Sequence, residues 1–153
     1  MERFMQAALD EARKGIAKGA GGPFGAVVVY ENRIVGSAHN EVVGSCDPTA
    51  HAEILAIRRA AKALGRFDLS GCVLYATGEP CPMCFSAIHW ARIERVVYCN
   101  AKSVAAEAGF DDVWLTEILA GRRQSPVLFE YRPDGACVRA VRAWEASKKR
   151  VFY

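Results

Sequence analysis

The stretch from Cys72 to Cys99 is the strongest constraint on how this chain can fold. "CVLYAT" and "RVVYC" are short runs rich in β-branched and aromatic residues, and Pro82 to about Arg92 between them reads as a helix. A strand, helix, strand succession of this length predicts a parallel crossover, expected to be right-handed, with its helix laid against one face of a sheet.

The rest of the chain supplies the other layers. Met1 to about Lys18 reads as an amphipathic helix with Phe4, Ala8, Ala12 and Ile16 on one face, ended by Gly19, Gly21 and Gly22. Phe24 to Tyr30 and Arg33 to Asn40 read as two strands joined at "EN", a hairpin. A helix follows from Pro48, with Asp47 as its expected N-cap and Ile54, Leu55, Ala61 and Leu64 as an apolar stripe. Asp112 to Ala120, Val127 to Tyr131 and Asp134 to Lys149 add helix, strand and helix. The expected fold is α/β, a three-layer sandwich with a mixed sheet of about five strands and helices on both faces.

A length of 153 residues suits one domain, 1–153, that can bury a core. The longest apolar runs, such as "FGAVVVY", are strand-sized, which argues against a membrane span. Acidic and basic residues run throughout Met1 to Lys18, so no signal peptide is read there and a cytoplasmic location is expected. The net charge of +3 is low for a dedicated nucleic-acid binder, although "SKKR" and Arg122 with Arg123 form local basic spots. Six cysteines in a cytoplasmic chain favour reduced thiols over a disulfide framework. Cys46, Cys72, Cys99 and Cys137 are scattered and read as small buried hydrophobes.

Two motifs carry chemistry. "DPTAHAE" places His51 and Glu53 at the positive end of a helix, and "EPCPMC" places Cys81 and Cys84 on one side of the first turn of another. Helix N-terminal amides stabilise a thiolate, the form that ligates metal. A C-x-x-C alone fits a redox pair as well as a metal site, and the H-x-E motif tips the balance to metal. One His and two Cys leave the fourth tetrahedral position of a zinc ion open, as in catalytic sites. Zinc lowers the pKa of a bound water to about 7. Glu53, two residues from His51, can carry protons to and from that water.

H-x-E followed by P-C-x-x-C is the signature of the zinc nucleobase deaminases, and the chain resembles the cytidine deaminase-like superfamily over nearly its whole length. Within it, "GGPFGAV", "DPTAHAE", "EPCPMC", "AIHWAR" and above all "AAEAGFDD" resemble bacterial guanine deaminases. That resemblance implies hydrolytic deamination of guanine to xanthine and ammonia by a zinc-bound hydroxide, with one Zn2+ per chain held by His51, Cys81 and Cys84. Glu53 and Asp112 would be catalytic, and Asp112 would also accept the donor pair on the guanine edge. Asn40, Phe24 and Trp90 would contact the purine, although alone they read as a turn residue and two core aromatics. One of Asp111 and Asp112 should also cap the helix at "VWLTEIL". The resemblance further implies a homodimer that exchanges its C-terminal segment, with Tyr153, or else Phe152, closing the partner's site.

Guanosine deamination and tRNA adenosine editing share much of this motif set. The first stays open because nothing in the sequence shows whether a ribose fits. The second is disfavoured by "EAGFDD" and the low net charge. A non-catalytic zinc scaffold is disfavoured by the retention of Glu53.

Overall fold

The computed structural model describes residues 2–152. Along the chain run α1 (Arg3–Lys18), β1 (Gly25–Tyr30), β2 (Arg33–His39), α2 (Val42–Ser45), α3 (Ala52–Leu64), β3 (Val73–Gly78), α4 (Pro82–Trp90), β4 (Arg95–Asn100), α5 (Lys102–Glu107), α6 (Val113–Leu119) and α7 (Gly135–Ala146). The strands form one mixed sheet in the order β2-β1-β3-β4. β1 lies antiparallel to both β2 and β3, and β3 pairs parallel with β4 through the crossover helix α4.

The alternation of β1 makes two cores from one strand. Val27 and Val29 pack with Phe4, Met5 and Ala8 of α1 on one face, and Ala26 and Val28 pack with Ala52, Ala56 and Ala60 of α3 and Ile88 of α4 on the other. Glycine lets the helices come close. A Cβ at Gly25 would collide with the Ala8 carbonyl of α1, and one at Gly36 with the Ala56 carbonyl of α3. At the hairpin, Glu31 and Asn32 both take positive φ, 46° and 63°, the conformation that matches a two-residue turn to the twist of its strands.

Several expectations need correction. The sheet has four strands among the described residues, not about five, because Val127 to Tyr131 forms no strand. Leu128 and Tyr131 are 87% and 89% exposed. Their strand propensity is not realised because the pleated face they would form has no layer to bury it. The α3 helix starts at Ala52, with His51 as its N-cap residue, rather than at Pro48. Asp47 instead accepts bonds from the Thr49 amide (2.8 Å) and hydroxyl (2.7 Å), a local turn that competes with helix capping. The stripe on α1 turns to bury Met5 and Gly15, leaving Ile16 exposed. Of the four scattered cysteines only Cys72 is buried, and all six are free thiols.

No residue from Glu94 to Phe152 is buried. The chain from Glu94 onward therefore lies on the surface of the two-faced core, and α5, unforeseen from sequence, starts beside Glu79, just past the C-terminal end of β3.

Candidate active site

α3 and α4 direct their N-termini at one point beyond the ends of the strands. His51 and Cys81 are the N-cap residues of these helices, and Pro82 occupies the first turn of α4, where a missing amide hydrogen costs nothing. Nδ1 of His51 lies 3.5 Å from Sγ of Cys81 and 3.6 Å from Sγ of Cys84. Zinc–nitrogen bonds of about 2.0–2.1 Å and zinc–sulfur bonds of about 2.3 Å at a tetrahedral angle would hold nitrogen and sulfur about 3.6 Å apart. The three donors thus fit zinc through Nδ1, and all three ligand atoms lie within 4.8 Å of one another. This cluster could hold one zinc ion.

The protonation of the cluster suits a cation. A hydrogen bond from the Cys84 thiol, opposed by burial and reinforced by His51, pushes Cys81 down to about 4. Its bond to the Cys81 sulfur and its burial push Cys84 up. The pair behaves as one thiolate and one thiol sharing a proton, and His51 is raised by its bond to Cys81. A divalent ion would take the place of those protons.

Beside the cluster opens a cavity of about 270 Å³, lined by His51, Glu53, Cys81, Asn40, Phe24 and Asp112 among others. Glu53 is 8% exposed, and burial is the main cause that raises its pKa. Asp112 is also raised, first by burial, against the pull of the nearby Lys102 ammonium.

The adjacent aspartates divide two roles. Asp111 Oδ1 accepts the Val113 amide at 2.9 Å and so caps α6. Asp112 occupies the backbone N-cap position, but its side chain makes no cap and faces the cavity.

Asn40, 5% exposed, accepts the Gly22 and Val42 amides on Oδ1, each at 3.2 Å. This commits the oxygen of a side chain that also lines the cavity. The close approach requires a glycine at position 21, where any Cβ would strike the Asn40 side chain. Phe24 meets Phe110 edge to face, with ring centroids 5.1 Å apart, and both rings line the cavity.

Trp90 is not brought into this cavity. It is 66% exposed at the end of α4 and lines a separate groove with Val141, Trp144 and Phe152. Tyr153 lies outside the described residues. Among the lining residues to which sequence reasoning gave no role are Glu79, Lys102 and Phe110. Phe110 sits within "EAGFDD" and Glu79 beside the cysteine motif, so their neighbours were signals; Lys102 had none.

Residues 1–100 match the cytidine and deoxycytidylate deaminase zinc-binding region. The chain belongs to this zinc-dependent deaminase family. It is 50% identical over 114 residues to the guanine deaminase of Bacillus subtilis, covering 74% of this chain and 73% of that one. A crystal structure of a Bacillus subtilis guanine deaminase superposes with a TM-score of 0.94 at 39% identity, covering 100% of this chain and 99% of that one. The tRNA-specific adenosine deaminase of Aquifex aeolicus is 47% identical over 97 residues, covering 63% of this chain and 64% of its own length. A protein solved in complex with 2,6-diaminopurine superposes with a TM-score of 0.67 at 35% identity, covering 71% of this chain and 61% of that one.

Proposed function

We propose that the chain deaminates guanine hydrolytically, taking guanine and water to xanthine and ammonia. The observation that carries this reading is the position of Asp112. Its carboxylate, released from capping duty by Asp111, faces a cavity shared with Glu53 and with His51 and Cys81 of the metal cluster. Guanine offers a ring NH and an exocyclic amine side by side, a donor pair that one carboxylate accepts, and adenine has no such ring NH.

Zinc held by His51, Cys81 and Cys84 would supply an acidified water near neutral pH. The rest falls to the chain's own groups. Glu53, kept protonatable by burial, takes a proton from the water and passes it to the ring nitrogen beside carbon 2. As the water oxygen becomes bonded to carbon 2, the water's second proton is relayed by Glu53 and Asp112 to the amine, whose bond to that carbon breaks so that it leaves as ammonia. Asn40 donates from Nδ2 to a ring acceptor, and Phe24, backed by Phe110, covers one face of the base. A cavity of about 270 Å³ falls just below the range of ligand pockets, which run from about 300 Å³ upward, and suits a free base.

tRNA editing fits less well, because the alignment with the Aquifex aeolicus enzyme covers 63% of this chain at 47% identity while that with the Bacillus subtilis guanine deaminase covers 74% at 50%. We place the protein in the cytoplasm, in keeping with its free thiols. We also read it as a homodimer that exchanges its C-terminal segment, so that Tyr153, or else Phe152, closes the site of the partner. The apolar groove at Trp90 and the exposure of Phe129 and Tyr131 support that reading. Guanine incubated with zinc-loaded protein in heavy-oxygen water tests the reaction. Xanthine carrying one heavy oxygen at carbon 2 is expected, and unlabelled xanthine or unchanged guanine would refute it.

A further inference from the structure

Lys102 lines the cavity from the first turn of α5, where its backbone amide is held by Oε2 of Glu79 at 3.2 Å. Its Nζ lies 3.8 Å from Oδ2 of Asp112, close enough for attraction and too far for a hydrogen bond. Among the described residues its ammonium makes no hydrogen bond, although the side chain is only 29% exposed. Three donors therefore stand beside the carboxylate that the proposed reaction sets against the guanine edge. On that edge the ring NH has the exocyclic amine on one side and the carbonyl oxygen of carbon 6 on the other. The amine side must face Glu53 and the metal donors, since carbon 2 is the reacting atom. The flank left for Lys102 carries the carbonyl.

Resting on the guanine reading, we infer that Lys102 donates a hydrogen bond to the carbon 6 oxygen of the purine and so selects a 6-oxo over a 6-amino base. An acceptor there satisfies the ammonium, and the amine of adenine or 2,6-diaminopurine would set donor against donor. Asp112 and Lys102 together then read a donor, donor, acceptor pattern.

The test compares guanine with 6-thioguanine, which keeps the ring NH and the amine and replaces the carbonyl oxygen with sulfur, a weaker acceptor. Their kcat/KM values are measured for the wild type, Lys102→Met and Lys102→Arg. A hydrogen bond to a charged group is worth about tenfold or more, so Lys102→Met should lower kcat/KM for guanine by at least that factor. It should lower the value for 6-thioguanine several-fold less, so that the preference for guanine collapses, and Lys102→Arg should retain most of it. Zinc content equal to that of the wild type shows that the variants are folded. A parallel fall for both substrates would reduce Lys102 to a support for Asp112 and overturn the inference, as would no change for either. A wild type that releases no ammonia from guanine would remove the proposed function itself, and this inference with it.

Discussion

Replacing Glu53 with Gln isolates proton transfer from everything else at the site. The side chain is 8% exposed in the first turn of α3, and an amide of nearly the same shape fits the same space. The ligand cluster of His51, Cys81 and Cys84 is unaltered, so the variant should bind about one zinc per chain. A positioned general acid and base contributes about 10²–10⁴ in rate, so a loss of at least ~10² in kcat is expected, or about 2.7 kcal/mol of barrier at 1.36 kcal/mol per decade. Stability should move the other way. Burial raises the pKa of Glu53, so the folded state binds more protons than the unfolded one above the ordinary carboxylate range, and stability falls as pH rises through the folded value. Gln carries no such penalty, and metal-stripped Glu53→Gln should melt above metal-stripped wild type at pH 7. Ammonia release, elemental analysis and thermal melts of one preparation give all three readings. A variant within tenfold of wild-type turnover would show that another group moves the proton.

Other perturbations reach the neighbouring parts. Cys84→Ala should lose zinc and turnover together by elemental analysis and ammonia release, because two donors do not hold a tetrahedral ion well. Asp112→Asn should cut guanine turnover by at least ~10² while keeping zinc, whereas Asp111→Ala, which removes the acceptor of the Val113 amide, should mainly lower the melting temperature through the lost cap of α6, at a cost of about 1 kcal/mol; the reverse ranking in turnover would show that the carboxylates are misassigned. Burial raises Glu11, but its bonds from Lys14 and His39 outweigh this and leave its pKa lowered. Its stabilisation is therefore present above the ordinary Glu value and is lost as pH falls through the folded one. Glu11→Gln should narrow its deficit in melting temperature relative to wild type as pH drops from 7 to below 4, and a constant deficit would contradict the linkage.

What could be read from the sequence was whatever local chemistry decides. Pro82 and the β-branched and aromatic runs around it gave the parallel crossover, and the spacing of His51, Cys81 and Cys84 gave the cluster. The N-cap of α3 was misplaced because Asp47 can satisfy Thr49 as readily as a helix end, and the two options look alike in one dimension. The strand expected at Val127 to Tyr131 failed for a different reason. Propensity describes what a segment fits, and its partner surface lies elsewhere in space. Trp90 fell out of the cavity similarly, since it faces the groove beside α7 within one chain. Lys102 was invisible because a lone lysine after a strand reads as solvated surface, and only the start of α5 just past the end of β3 sets it beside Asp112.

The most direct test is ammonia release by the zinc-loaded protein from guanine, guanosine, adenine, cytosine and an adenosine-bearing RNA hairpin, repeated after removal of the metal. The account predicts release from guanine well above every other substrate, abolished by chelation and restored by zinc. Release from the hairpin in preference to guanine, or turnover of guanine that survives complete loss of zinc, would contradict it.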